Sequence, residues 1–243
     1  MFRFFAPDIQ AERPTVTLSV TESQHLARVL RLEVGVRVRV FDGRGTEYEA
    51  AIEVAAPRAA VLRLERAVSP LAESPVQVTL AQALLKGDGM DGVIRDATML
   101  GVRRIVPIIT SRTNVSTRLV ASGKAHQRWH RVAVASAKQC GRACVPLIGP
   151  TRSLDAVLTS ATGLRLLLAE PGLHAPAARP SQPGAEAAAL VVGPEGGWAP
   201  EEIELADAHG WTRWSIVPWT LRAESAAAVA LSVLQHEWNM RGA

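Results

Sequence analysis

Ala188-Ala189-Leu190-Val191-Val192-Gly193-Pro194-Glu195-Gly196-Gly197 decides the fold class. Its first half is an unbroken apolar run ending in β-branched valines, the pattern of a strand buried on both faces of a sheet. Strands of that kind belong to parallel α/β sheets, where ligands sit beyond the carboxyl ends of the strands. The run passes directly into glycines that let backbone approach a ligand closely, and Pro194 stiffens the turn. No G-x-G-x-x-G spacing is present, and no Gly-Lys-Ser/Thr follows, so neither a dinucleotide fingerprint nor a Walker A loop is read. On its residues alone the turn reads equally as a ligand loop or as a structural strand-to-helix connection.

The segments on either side keep the α/β rhythm. Val76–Leu85 reads as a strand, Asp88–Leu100 as a helix closed by Gly101, and Arg104–Ile109 as a strand. Ala121–Gln139 reads as a long basic helix and Leu164–Ala169 as a second buried strand. Pro200–His209 reads as a helix with Glu201 and Glu202 in its first turn, where carboxylates suit the dipole, and Gly210 at its end. Glu224–Met240 is the last helix. Residues Pro171–Ala187 read as a mobile Pro/Ala-rich loop.

The first 70 residues read differently. Phe2–Phe5, Val36–Phe41, Tyr48–Val54 and Ala60–Leu64 are short strands separated by turn signals such as Asp42-Gly43-Arg44-Gly45. One helix, opening at Thr21, interrupts them. Short strands at this spacing predict a small barrel. Val68–Pro75, with two prolines among polar residues, reads as a linker. The expected domains are therefore 1–70 and 75–243.

Composition narrows the function. The 243 residues carry a net charge of +4. Residues 1–85 are neutral, 86–142 carry +8 and 143–243 carry −4. Charge gathered in one segment is the footprint of a polyanion-binding face, against the plainer reading of a solvated Arg-rich helix. No apolar run is long enough to span a bilayer, and the start lacks a signal-peptide pattern, so a cytoplasmic protein is expected. Cys140 and Cys144 with His126 and His130 match no standard zinc spacing. No metal is expected.

An ordered series of motifs adds to this reading. They are Arg3-Phe4-Phe5, His25-Leu26-Ala27-Arg28-Val29-Leu30-Arg31, Lys86-Gly87-Asp88-Gly89-Met90-Asp91, Leu100-Gly101-Val102, Gln139-Cys140-Gly141-Arg142, Val192–Gly197 and Leu221-Arg222-Ala223-Glu224-Ser225-Ala226. With them the chain resembles the RsmE family of ribosomal RNA methyltransferases, within the SPOUT superfamily. It departs from the family pattern at Asp96, Met99 and Lys138, and over Ile216-Val217-Pro218-Trp219.

The resemblance implies an N-terminal PUA-like β-barrel followed by a SPOUT α/β domain with a C-terminal trefoil knot. It implies a homodimer that uses S-adenosyl-L-methionine to methylate N3 of a uridine in 16S rRNA. The cofactor loops would be Leu168 and Glu170, then Val192, Gly193, Glu195, Gly196 and Gly197, then Ile216, Pro218 and Leu221. Arg142 and Arg222 are candidates to stabilise charge on the uracil ring. Arg222 reads as readily as a salt-bridge residue. Glu224 reads as a base or, more readily, as a helix-start residue. Arg3, His25, Arg28, Arg31, Lys86, Lys124 and Arg128 are the candidate RNA contacts, and Arg28 and Arg31 are spaced to share a helix face.

Overall fold

The computed structural model describes residues 1–115, 123–172 and 185–241. The chain forms two compact units. The first holds Met1–Glu73 with Val134–Val145, the second Ser74–Ala133 with Pro146–Ala243. The units are thus not two consecutive stretches of chain.

In the first unit, strands β1 (Arg3–Phe5), β2 (Thr15–Thr17), β3 (Arg37–Phe41), β4 (Glu47–Val54) and β5 (Val61–Val68) make one sheet in the order β1-β3-β4-β5-β2. β1 runs parallel to β3 and the other pairs are antiparallel. Alternation sets the inner face: Val38 and Val40 are fully buried, while Arg37 and Arg39, which alternate with them, are not. Phe4, Leu26, Val38, Val40, Ile52 and Leu62 fill the core. The expected small barrel is a half-barrel sheet, open where the three-residue strands β1 and β2 do not pair with one another. β2 itself had no strand signal beyond three residues.

Helix α1 (Val20–Gln24) opens on Ser19, whose side chain accepts from the Glu22 amide at 3.3 Å. It continues through a wide π-type turn at His25–Val29 and stops at Arg31, which takes φ 51. The left-handed conformation of a non-glycine residue turns the chain out of the helix there. Lys138 donates to both Glu22 oxygens, at 2.8 and 3.0 Å, with side chains only 17% and 11% exposed. A lysine at this position therefore finds a carboxylate waiting for it inside the first unit.

In the second unit, β6 (Gln77–Ala83), β7 (Arg104–Ile109), β8 (Leu147–Ile148), β9 (Arg152–Ser153), β10 (Leu164–Leu168), β11 (Ala187–Val192) and β12 (Thr212–Trp214) form an all-parallel sheet. The order is β12-β10-β11-β6-β7-β8, with β9 also paired to β7. The apolar run Ala188–Val192 sits at the centre as expected, and its last four residues are at most 4% exposed. Between the strands lie α2 (Gly89–Met99), α3 (Lys124–Cys140, shared between the units), α4 (Leu154–Ser160) and α5 (Pro200–Ala208), and α6 (Ala223–Arg241) follows β12. α6 packs on α2. Val191, Leu167, Val106, Trp198, Ile203 and Trp211 build the core that α4 and α5 cover. The Pro171–Ala187 loop of the sequence reading lies largely outside the described residues, as do the first residues of Ala121–Gln139.

Caps fix the helix starts. Ser153 caps α4 by accepting from the Ala156 amide. Glu202 reaches back to the Ala199 amide at 3.0 Å, and Pro200 presets the first turn of α5. After Gly210, Arg213 of β12 donates to Asp207 of α5 at 2.9 Å and staples the turn. This hydrogen bond holds the Asp207 carboxyl below its ordinary value of 3.8. A carboxyl depressed in the folded state contributes stability above its unfolded pKa and loses it as pH falls through the folded one. Arg213→Ala is therefore expected to lower the melting temperature at neutral pH. The two melting curves should converge as pH drops below 3.8, as followed by circular dichroism.

Candidate methyl-transfer site

The carboxyl ends of β10 and β11 and the chain after β12 surround a cavity of about 750 Å³ in the second unit. That lies within the size range of small-molecule and cofactor sites. Leu168, Ala169, Glu170 and Pro171 come from the end of β10. Val192, Gly193, Pro194, Glu195, Gly197 and Trp198 come from the turn after β11. Ser215 to Val217 and Trp219 to Leu221 come from the chain that follows β12, and Arg222, Ala223, Glu224 and Ala226 from the start of α6. Lys86, Asp88, Gly89 and Gly92 close it from the start of α2.

The glycine turn is held from several directions. Gly197 donates to the Pro194 carbonyl at 3.0 Å and closes the turn with φ 68. A Cβ there would lie 2.2 Å from Glu170 Oε1, so only glycine leaves that carboxylate in place. Trp198 Nε1 donates to the Leu168 carbonyl at 2.8 Å and ties the turn to β10. The Lys86 amide donates to Glu195 Oε1 at 2.8 Å and ties it to the approach to α2. Gln82, wholly buried at the end of β6, points Nε2 at the Gly193 carbonyl at 3.4 Å. The turn is thus fixed before any ligand arrives, which lowers the ordering cost of binding.

Of the expected cofactor residues, Leu168, Glu170, Val192, Gly193, Glu195, Gly197, Ile216 and Leu221 line the cavity. Gly196 and Pro218 do not. Gly196 faces Arg112, whose Nη1 donates to its carbonyl at 3.0 Å, and Pro218 is exposed on the same stretch as Ile216. Arg222 and Glu224 both line it, 3.6 Å apart, with the Arg222 side chain 87% exposed. An ion pair so open to water contributes little binding energy of its own, and the guanidinium can move to a substrate. Arg142 belongs to the first unit and does not line the cavity. Its guanidinium pairs with Glu73, Nε to Oε1 at 3.1 Å, and is 9% exposed.

The candidate RNA contacts also divide. Arg3 is used inside the first unit. It donates to Glu47 at 2.9 Å and to the Ala137 carbonyl at 2.8 Å, and it lies 4.6 Å from the centre of the Phe41 ring. His25 packs edge-on to Phe4. Arg28 and Arg31 are exposed. Lys86 is exposed on the cavity wall and Lys124 is exposed at the start of α3. Arg128 donates to Asp88 and Asp91, each at 2.6 Å, and these bonds, Asp88's first, raise its pKa. It remains a cation while bracing the cavity wall at Asp88.

Sequence reasoning missed Trp198, Ser215, Thr220, Gly89 and Gly92 as wall residues. The Gly89-x-x-Gly92 spacing was the available signal, since it clears one face at the start of α2. Among the described residues no group of three His, Cys, Asp or Glu side chains is placed to hold a metal. Among the described residues no helix is long and apolar enough to cross a membrane.

Known proteins fit this architecture. A family model described as an RNA methyltransferase domain matches residues 72–235, and one described as an RNA methyltransferase PUA domain matches residues 18–65. The chain is thus an RNA methyltransferase-type protein with a PUA-like first domain. It is 34% identical to ribosomal RNA small subunit methyltransferase E of Synechocystis sp., over 95% of this chain and 76% of that one. It is 26% identical to the Bacillus subtilis protein of the same name, over 93% and 91%. The chain belongs to the ribosomal RNA small subunit methyltransferase E family. Among solved structures it is similar to the Neisseria gonorrhoeae member bound to S-adenosyl methionine, with TM-score 0.90, 28% identity and 98% of both chains covered. It is also similar to a Legionella pneumophila methyltransferase in complex with the cofactor SAM, with TM-score 0.89, 33% identity and 98% of both chains covered.

Proposed function

We propose that this chain is an S-adenosyl-L-methionine-dependent methyltransferase of 16S rRNA that methylates N3 of a uridine. It acts as a cytoplasmic homodimer on the small ribosomal subunit. The observation that carries the reading is the cavity itself. Three loops from parallel strands meet at their carboxyl ends in a chain whose sequence and fold match this family over nearly its whole length.

The residues fit the cofactor chemically. Leu168, Val192, Ile216 and Leu221 offer apolar wall for an adenine ring, and Gly193 and Gly197 leave backbone exposed to it. Glu170, Glu195 and Glu224 put negative charge around a site that would receive a sulfonium cation. The cofactor supplies an electrophilic methyl group. The protein's part is to orient the uracil for in-line attack and to make loss of the N3 proton less costly. Arg222 is proposed to stabilise the negative charge that spreads to the ring oxygens. Glu224, in the first turn of α6, orients Arg222. Arg28, Arg31, Lys86 and Lys124 are proposed phosphate contacts, with residues 1–70 as an RNA-binding domain and 75–243 as the catalytic one.

The path of the chain supports a trefoil knot. After β12 at one edge of the sheet, the segment 215–222 returns along the strand ends to reach α6, which packs on α2 and against central β11. A return through the loop after β11 would make the threaded topology that compact folds otherwise avoid.

Titration calorimetry with S-adenosylmethionine tests the cofactor assignment. Saturable binding that S-adenosylhomocysteine competes away is expected. No heat and no competition would leave a fold without its enzyme.

A further inference from the structure

On this reading of the site, we propose that Trp219 is the platform on which the target base stacks once it has left the RNA helix. The chain has six tryptophans. Trp129, Trp198, Trp211, Trp214 and Trp238 are each 4–7% exposed and belong to cores. Trp219 is 66% exposed and lines the cavity. An indole gains more from burial than most side chains. Packing therefore does not account for one left in water at the rim of the site. A lone surface aromatic is ordinary, but this one shares its cavity with Lys86 and Arg222, two exposed cations in the same lining. An aromatic face with cations around it is the chemistry that receives an unstacked nucleotide.

Exposure also separates Trp219 from the apolar groups assigned to the cofactor. Val192 is buried and Leu168, Ile216 and Leu221 are half-buried. These apolar groups serve the adenine, while the exposed indole meets what enters from solvent. The reaction needs such a platform. N3 lies on the Watson–Crick edge of uracil, so an enzyme acting there takes the base out of its stack. An indole beside the site replaces part of the lost stacking and does so only for a base already turned out. Trp219 is thus a substrate-binding residue whose contribution falls on RNA affinity, not on cofactor affinity.

Trp219→Ala and Trp219→Phe test this with small subunits as substrate. Trp219→Ala is expected to raise KM for the subunit by about five- to a hundredfold, the range of one base stacked on an aromatic ring. The calorimetric affinity for S-adenosylmethionine and the sedimentation behaviour should stay at wild-type values. Trp219→Phe, which keeps an aromatic face, should recover most of the lost affinity. Unchanged KM in Trp219→Ala overturns the stacking role while leaving the methyltransferase reading intact. So does a loss traced to cofactor affinity or to dissociation of the oligomer. A wild-type protein that transfers no methyl overturns the methyltransferase reading, and the stacking role with it.

Discussion

Arg222→Ala is expected to reduce single-turnover methyl transfer by about a hundred- to a thousandfold, the usual effect of removing one preorganised donor to developing charge. Arg222 lines the cavity at the start of α6, and its side chain is 87% exposed. It pairs with the half-exposed Glu224 at 3.6 Å, so removing it opens no core and strips no buried carboxylate. The variant should therefore keep its melting temperature, its oligomeric state and its affinity for S-adenosylmethionine. Neutral uracil makes smaller demands on a cation than the ring anion does, so the loss should appear in kcat more than in KM. Rates equal to wild type under single-turnover conditions would remove Arg222 from the chemistry.

Gly197→Ala should act on the cofactor instead. Gly197 closes the turn after β11 with φ 68, a conformation that costs an L-residue about 1–2 kcal/mol. The added methyl would also lie 2.2 Å from Glu170 Oε1. The Glu170 side chain can swing away, but doing so displaces a carboxylate that lines the cavity. Affinity for S-adenosylmethionine is expected to fall by about tenfold or more, the equivalent of about 1.4 kcal/mol. The sheet behind the turn should fold as before, since β11 is anchored on both sides by β10 and β6. Wild-type affinity in the variant would mean that this turn does not touch the ligand.

The elements that carry the site were largely legible in the sequence. Ala188–Val192 had to be a buried strand because it is apolar throughout, and the glycines after it had to mark a turn that backbone alone could shape. Leu164–Leu168 and the helix from Pro200 were legible for similar local reasons. What escaped was short or long-range. β8, β9 and β12 are two or three residues each, too short for any period to register. α4 did carry its own signal, Ser153 before Leu154 and Asp155, but seven residues give little more than one face of a helix.

The basic residues show the sharper limit. Arginine beside a family motif says that a cation is needed, not whether its partner is a substrate or a carboxylate elsewhere in the chain. Arg222 and Arg142 looked alike in sequence. The fold leaves the first open on a cavity wall and closes the second onto Glu73. Arg3 likewise spends its donors on Glu47 and on carbonyls of the returning segment Val134–Val145. That return itself had no local mark, because it depends on contacts more than a hundred residues apart. The segment read in the sequence as departing from the family pattern, Ile216–Trp219, supplies three residues of the cavity wall, the exposed indole among them.

The most direct test incubates the purified protein with methyl-labelled S-adenosylmethionine and small ribosomal subunits from a strain lacking this modification. The nucleosides of the 16S rRNA are then resolved by mass spectrometry. The account predicts stoichiometric label on N3 of a single uridine. Label on another nucleoside or on another RNA, or none at all, would contradict it.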